Sequence, residues 1–316
     1  MIRILDPGLL TTVQDGGRYG YQRFGVPVCG AMDAQALAMA NLLVGNKPDE
    51  GALEITALGP TIRFETENIF ALAGADFSPT RNGVPLKTGH AWLAHPGDIL
   101  ECGAAKGGFR GYIAFSGGLN VPFLMESKST CLSARFGGFH GRALQKNDLI
   151  EFSAPQYWLK GLSRREILPT YDLSAPVRVV LGPQADAFSG EGIETFFSAG
   201  YRVGHSSDRM GCRLEGPEIC LKQGVSPNIL SDGIAMGSIQ VPNGQPIVMM
   251  ADRQTTGGYV KLGCVITADL PLMAQRRPGD TVRFQQVTVE EAQRLLADSR
   301  RKLCNLQDDL EHNGNW

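Results

Sequence analysis

The chain has 316 residues, 43% of them hydrophobic and 20% charged, which is typical of a folded globular protein long enough for two ordinary domains. Its 32 acidic side chains nearly balance 30 basic ones, for a formal charge of −2. This balance argues against a nucleic-acid-binding or membrane-surface protein. We therefore expect small molecules or other proteins as partners, with no nucleic acid and no membrane.

The cysteines and the N-terminus favour a cytoplasmic protein. Seven cysteines occur without a Cys-x-x-Cys pair, as expected for free thiols in a reducing compartment. No apolar run approaches the roughly 20 residues that span a bilayer, and no export signal is recognisable at the start. The five histidines have no metal-ligand spacing, so we expect no metal site.

Short apolar stretches separated by Gly and Pro dominate the pattern and predict a mainly β fold built of barrels or sandwiches. Two helices interrupt them. One runs from Asp33, a plausible N-cap, to Val44 before Gly45, and the other begins at the capping box of Thr288 and extends past Leu306. In chain order the predicted strands are Thr61–Phe64, Ile69–Leu72, Tyr112–Phe115, Val177–Leu181, Ile229–Leu230, Ile247–Met250 and Val282–Phe284.

The two halves of the chain share turn signatures in the same order, which indicates two copies of one β fold. Chance recurrence of common turn residues is the alternative. We predict domains at 1–165 and 175–287, a C-terminal helix and tail at 288–316, and a linker near 162–176 that includes Arg164 and Pro169. The matched signatures are Leu53-Glu54 with Leu214-Glu215, Asn82-Gly83 with Asn243-Gly244, and His95-Pro96-Gly97-Asp98 with Arg277-Pro278-Gly279-Asp280.

Several familiar catalytic motifs are absent: the phosphate loop Gly-x-x-x-x-Gly-Lys-Ser/Thr, Gly-x-Gly-x-x-Gly, His-Glu-x-x-His and Gly-x-Ser-x-Gly. Their absence argues against a simple NTPase, a dehydrogenase, a zincin metalloprotease or a serine hydrolase of the Gly-x-Ser-x-Gly type. Polar clusters beside glycine remain as candidate sites. Each is also compatible with a hydrogen-bonded turn that only closes a sheet.

Four such clusters occur. The segment 11–20 contains Asp15 and Arg18 ahead of the first helix, where Arg18 is suited to clamp an anion. The segment 205–211 contains Asp208 and Arg209. Asp232 lies in a Ser-Asp-Gly turn, where it is suited to orient an arginine or to act as a base, and Gln240 follows it. The fourth cluster, 251–259, follows a predicted strand and contains Arg253, Gln254, Thr255 and Thr256.

If the second domain is a small closed barrel, the three loops of that domain meet around one pocket. These loops carry Arg209, Asp232, Arg253 and Gln254. Asp232 and Arg253 are the candidate catalytic residues. The candidate substrate-binding residues are Asp15, Arg18, Asp208, Arg209, Gln240, Gln254, Thr255 and Thr256.

In this order the clusters resemble the C subunit of bacterial 5-oxoprolinase. This family is also described as biotin-dependent carboxyltransferase-like or kinase-inhibitor-antagonist proteins, and it includes part of the carboxyltransferase region of urea amidolyase. The resemblance extends from Ile4 to about Phe284 and implies two related cyclophilin-like β-barrel halves. It is carried by the motifs at 12–18, 25–27, 30–33, 53–54, 74–76, 207–211, 214–217, 231–233, 239–242, 251–259 and 268–271.

The resemblance implies ATP-dependent opening of 5-oxo-L-proline to L-glutamate, together with the A and B subunits of 5-oxoprolinase as partners. ATP, with Mg²⁺ as its counter-ion, would activate the lactam carbonyl oxygen by phosphorylation. Arg209 and Arg253 would then bind phosphate and carboxylate, Gln254 would bind the ring amide, and Asp232 would transfer a proton. The chain has no Met-Lys pair, so we expect no covalently attached biotin.

Two other functions fit the same resemblance. The chain is compatible with a carboxyltransferase component that acts on urea or a related amide with a separate carboxybiotin carrier. It is also compatible with a regulatory protein that antagonises a kinase inhibitor by binding a partner like the B subunit, which would need no chemistry in the pocket.

Overall fold

The computed structural model describes residues 1–155, 157–159, 161–162, 165–167 and 171–312. These residues form two compact units. The first contains Met1–Tyr19, Cys29–Tyr171 and the chain from Lys302 onward, and the second contains Gly20–Val28 and Asp172–Arg301. The domain boundaries predicted from the sequence stay a prediction. The units differ from them in giving Gly20–Val28 to the second unit and the end of the last helix to the first.

The described residues of the first unit form two antiparallel sheets. Their orders are β11-β1-β4-β9-β6-β7 and β2-β3-β10-β5-β8, with the strands β1 Ile2–Asp6, β2 Leu10–Gln14, β3 Ala52–Thr56, β4 Thr61–Phe64, β5 Asn68–Asp76, β6 Thr80–Arg81, β7 Val84–Pro85, β8 Ala91–Ala94, β9 Ile99–Glu101, β10 Lys106–Phe115 and β11 Leu149–Ile150.

The main core of this unit contains side chains from both sheets. Ile4 and Phe64 of the six-stranded sheet and Ile55 and Phe115 of the five-stranded sheet belong to one buried cluster. Helix α1 (Ala34–Leu43) packs on residues of the five-stranded sheet in a second cluster. The sheets and the helix are therefore held together by apolar burial on both faces of the five-stranded sheet.

A single buried guanidinium caps two helices in the first unit. Arg165 donates hydrogen bonds to the carbonyls of Leu42 (2.7 Å) and Leu43 (2.8 Å) at the end of α1, and to Leu310 (2.9 Å) in the last turns of the C-terminal helix. Carbonyls in the last turn of a helix carry partial negative charge, which favours a cation beside them. Burial nevertheless lowers the pKa of Arg165.

The second unit is a closed barrel with a separate two-stranded ribbon, β15 with β18. The barrel order is β12-β19-β16-β17-β14-β13-β20, closed by parallel pairing of β12 with β20. The strands are β12 Val177–Leu181, β13 Gly200–Val203, β14 Gly211–Glu215, β15 Asn228–Gly233, β16 Ser238–Gln240, β17 Ile247–Met249, β18 Thr256–Tyr259, β19 Lys261–Val265 and β20 Thr281–Gln286, and the helices are α2 Gly190–Ser198, α3 Leu270–Ala274 and α4 Val289–His312.

The predicted mainly β fold with few helices is confirmed, and each predicted strand lies in or overlaps an observed one. Both predicted helix starts are also confirmed. Asp33 Oδ1 accepts from the N–H of Ala36 at 2.9 Å, and Thr288 Oγ1 accepts from that of Glu291 at 3.2 Å. Helix α2 was not predicted, because two glycines in its first turn reduce its helix propensity, but Ser189 caps it.

Two of the three repeated turn signatures have the same backbone geometry in both units. Asn82 and Gly83 have φ values of 52° and 77°, and Asn243 and Gly244 have 50° and 73°. Left-handed conformations at two successive residues favour Asn-Gly. This agreement supports the predicted repeat.

The Pro-Gly-Asp turns agree in the same way. The Asp98 carboxylate accepts from the His95 N–H at 2.9 Å, and the Asp280 carboxylate accepts from the Arg277 N–H at 2.8 Å. The Leu-Glu signature differs, because Glu54 is buried and accepts from the Tyr112 hydroxyl, whereas Glu215 is exposed.

The predicted linker is described only in part, since Arg164 and Pro169 lie outside the described residues, as does the tail at 313–316. In the described part of the chain, no helix is both long and apolar enough to cross a bilayer.

Candidate functional site

The polar cluster 251–259 lies in the second unit, where it follows β17 as a loop and ends in the ribbon strand β18. Asp252 and Arg253 are buried, at 8% and 7% exposure, whereas Gln254 and Thr256 are exposed and Thr255 is half-buried. The cluster therefore has an inner charged part and an outer polar part.

A buried ion pair joins this loop to the loop before β14. Arg209 donates from Nε to Asp252 Oδ2 at 3.0 Å and from Nη2 to Asp252 Oδ1 at 2.9 Å. The N–H of Asp252 also donates to the carbonyl of Arg209 at 2.9 Å. Bidentate geometry and burial make this pair a strong, specific link between the loops.

Arg253 connects the same loop to a third one. Its Nε donates to the carbonyl of Ile234, between β15 and β16, at 3.0 Å, and its Nη1 donates to the carbonyl of Met250 at 3.3 Å. Arg209 and Arg253 thus hold three loops of the second unit together. The sequence analysis predicted that loops of this domain meet, but it did not predict these contacts. Their assignment to substrate or catalysis stays a prediction.

Asp232, the other candidate catalytic residue, lies on the ribbon strand β15 with 62% of its side chain exposed. Its Oδ2 accepts from Lys261 Nζ at 3.0 Å. The Lys261 ammonium lowers the pKa of the Asp232 carboxyl. A carboxylate with a lowered pKa is a weak proton acceptor near neutral pH.

Asp208 has a local role at the start of β14. Its Oδ1 accepts from the N–H groups of Met210 at 2.8 Å and Gly211 at 3.1 Å. Thr256 pairs with Gly233 in the ribbon.

A cavity of about 570 Å³ lies beside these loops, within the usual range for small-molecule sites. Gln240 and Gln254, both predicted, line it. Residues outside the four predicted clusters also line it, including Arg213, Glu215 and Gln245. Arg213 and Glu215 alternate with buried Cys212 and Leu214 on β14, and this period-two pattern is the signal that would have identified them.

Asp15 and Arg18 belong to the first unit and do not line this cavity. Asp15 accepts hydrogen bonds from the hydroxyls of Ser127, at 2.8 Å, and Ser129. Arg18 is fully buried and donates to the carbonyls of Leu124 at 3.0 Å and Ser129 at 2.9 Å. Both side chains fasten the loop near 124–129, and their predicted substrate role stays a prediction.

Comparisons with known proteins agree with this architecture. The family model "Carboxyltransferase domain, subdomain A and B" matches residues 24–286. The chain belongs to this family. The resemblance to the C subunit of 5-oxoprolinase is also confirmed: the chain is 37% identical to that protein of Escherichia coli (strain K12) over 100% of both chains. It is 38% identical to that of Haemophilus influenzae over 93% of this chain and 94% of the relative.

The carboxyltransferase-domain fold also appears in a solved structure. The crystal structure of the K. lactis urea amidolyase superposes with a TM-score of 0.88 and 31% identity over 96% of this chain. This chain corresponds to 20% of that much longer protein.

The cavity of this carboxyltransferase-domain chain suits a small, mostly neutral ligand. Among its described lining residues, Arg213 is the one cation, and Glu215 adds a negative charge. A nucleoside triphosphate needs several cations or backbone N–H donors around its phosphates. These residues therefore do not fit ATP.

We expect Asp252→Asn to lower the free energy of unfolding by about 3–5 kcal/mol, because it leaves the Arg209 charge buried with a weakened partner. Urea unfolding followed by circular dichroism measures the change. The matched control is Asp298→Asn, whose pair with Arg294 is more exposed, with an expected loss below about 1 kcal/mol. Equal losses in the two variants would contradict the assignment of Asp252 as a structural anchor.

We expect Lys261→Met to raise the pKa of the Asp232 carboxyl toward its ordinary value, because Lys261 is the main cause of the lowering. A lowered carboxyl pKa contributes stability above the ordinary pKa, and this contribution is lost as the pH falls through the lowered pKa. A carbon-13 NMR titration of Asp232 measures the shift. The exposed-lysine variant Lys222→Met serves as the control, and an unchanged Asp232 pKa in Lys261→Met would show that the ion pair does not form.

Proposed function

We propose that the chain is one component of an ATP-dependent 5-oxoprolinase, which opens 5-oxo-L-proline to L-glutamate together with the A and B subunits of that enzyme. The observation that carries the proposal is the similarity, over the full length of both chains, to a protein named as the C subunit of 5-oxoprolinase. The cavity of the second unit is its proposed substrate site.

The chemistry of the cavity supports this substrate. 5-Oxoproline has a neutral ring amide and one carboxylate. The lining contains the carboxamides of Gln240 and Gln254 and the guanidinium of Arg213, and a guanidinium is the side chain best suited to hold a carboxylate. We assign the carboxylate to Arg213, since Arg209 is already paired with Asp252 and Arg253 donates to two backbone carbonyls.

ATP is proposed to bind a partner protein of the complex. Because a lactam is a poor electrophile, phosphorylation of its carbonyl oxygen by ATP would make the carbon susceptible to water. In this chain Arg209 and Arg253 are then positioning residues that keep the walls of the cavity in place, and Gln240, Gln254 and Arg213 are the residues that touch the substrate.

A carboxyltransferase that acts on urea or a related amide is the second candidate. The superposition on the K. lactis urea amidolyase, with a TM-score of 0.88, favours it. Such a reaction would need a biotin carrier on another chain, because this sequence has no Met-Lys pair. Avidin, which sequesters biotin, therefore distinguishes the two reactions.

We expect the purified chain, mixed with the A and B subunits, to release glutamate from 5-oxoproline only when ATP is present and regardless of avidin. We expect Arg213→Met to raise the KM for 5-oxoproline by about tenfold, the size of one lost charge-assisted contact. Its control is Arg202→Met, since Arg202 is exposed on β13 and does not line the cavity.

Absence of glutamate in the complete mixture would contradict the proposed function. Avidin-sensitive consumption of urea would instead support the carboxyltransferase. An unchanged KM in Arg213→Met would exclude Arg213 as the carboxylate ligand.

A further inference from the structure

Among the described residues, three glutamines line the cavity of the second unit, namely Gln240, Gln245 and Gln254. Their side-chain amides differ in hydrogen bonding. Both polar atoms of the Gln245 carboxamide form hydrogen bonds with the backbone of Gly216. Its Nε2 donates to the carbonyl of Gly216 at 3.1 Å, and its Oε1 accepts from the N–H of Gly216 at 3.1 Å. Its amide is therefore committed to holding the wall.

Gln240 differs from Gln245. The residue is 2% exposed, and its Nε2 is buried without a hydrogen-bond partner among the described residues. An amide nitrogen left in this state is destabilising, and such groups are rare in folded proteins. A half-turn about the last torsion of the side chain exchanges Nε2 and Oε1, so Gln240 is able to offer either a donor or an acceptor.

Gly257 explains how Gln240 and Gln254 come close to each other. A Cβ atom at this position would lie 2.6 Å from Gln240 Nε2 and 3.1 Å from Gln254 Nε2. It would also lie 2.5 Å from Ile234 Cδ1. Both carboxamides therefore approach the same bare stretch of backbone on β18, and any side chain there would displace at least one of them.

We propose that Gln240 and Gln254, which Gly257 allows to lie close together, form a subsite that recognises the neutral amide group of the ligand. The carbonyl of a lactam, a primary amide or urea accepts a hydrogen bond from one carboxamide, and its N–H donates to a carboxamide oxygen. Gly257 does not itself line the cavity, but its missing side chain leaves room for the two carboxamides to lie close together. The identity of the ligand as a lactam rests on the proposed function, whereas recognition of an amide rests on the geometry alone.

The subsite selects against ligands without a carbonyl. A secondary amine of the same ring size, such as proline, presents no acceptor to Gln240 and leaves that amide unpaired. Sites built to hydrogen-bond a polar group reject analogues that lack it, because the buried partner stays unsatisfied. We therefore expect discrimination between 5-oxoproline and proline, which share the carboxylate and the ring.

Isothermal titration calorimetry of the full chain with 5-oxoproline, 2-pyrrolidinone and proline tests the proposal. We expect 5-oxoproline to bind at least about tenfold more tightly than proline, and Gln240→Leu to weaken 5-oxoproline binding by about tenfold or more. Gly257→Ala should weaken it too, because the added methyl group meets the Gln240 amide. The matched control is Gln285→Leu, since Gln285 is exposed on β20 and does not line the cavity, with a change below about threefold.

Circular dichroism and thermal melting of each variant identify a failure to fold, and Gln240→Glu offers an isosteric replacement that cannot donate when ionised. Equal affinity for 5-oxoproline and proline in the wild-type chain, or unchanged affinity in folded Gln240→Leu and Gln240→Glu, would overturn the subsite. Absence of any binding to 5-oxoproline and 2-pyrrolidinone would also overturn it.

The same measurements separate this inference from the proposed function. Binding of 2-pyrrolidinone that is lost in Gln240→Leu, together with no glutamate from the complete complex, supports the subsite and contradicts the 5-oxoprolinase. Normal turnover by a complex that contains Gln240→Leu, with unchanged KM, supports the 5-oxoprolinase and contradicts the subsite.

Discussion

The buried ion pair between Arg209 and Asp252 is the interaction on which the candidate site depends. Charges at this depth are stable only when each has a partner with good geometry, so the two loops that carry them have one favourable arrangement. The pair is bidentate, which fixes orientation as well as distance. Arg253 extends the link to the loop of Ile234, and the cavity wall follows from these contacts.

Buried polar groups therefore divide into two kinds in this protein. Some are fully engaged with the chain and hold irregular segments, as Arg209 does in the second unit and Arg165 and Asp15 do in the first. Loops rich in glycine bury too little apolar surface to offset the entropy that they lose on ordering. The hydrogen bonds and ion pairs of these buried side chains supply the missing stabilisation. Gln240 is of the other kind, because its amide nitrogen has no partner among the described residues. That difference marks it as a group suited to a ligand.

Much of the fold was predictable from local sequence patterns. Asp33 and Thr288 predicted helix starts because a cap acts within three residues, and the Asn-Gly and Pro-Gly-Asp turns predicted the repeat because their φ values restrict residue type. The pairings at the site were not predictable. Arg209 and Asp252 are 43 positions apart in the sequence. From the sequence alone, Arg209 and Arg253 were equally good candidates for binding a ligand. Arg213 was missed because 211–215 was not among the predicted strands, so the period-two alternation of β14 was not used.

A crystal structure of the chain with bound 5-oxoproline tests the central claim most directly, namely that the carboxamides contact the ligand while the buried arginines hold the loops. The account predicts the lactam within hydrogen-bond distance of the Gln240 or Gln254 amide, with Arg209 still paired to Asp252 and Arg253 still donating to the carbonyl of Ile234. A ligand held by the guanidinium of Arg209 or Arg253, with either of those contacts broken, would contradict it.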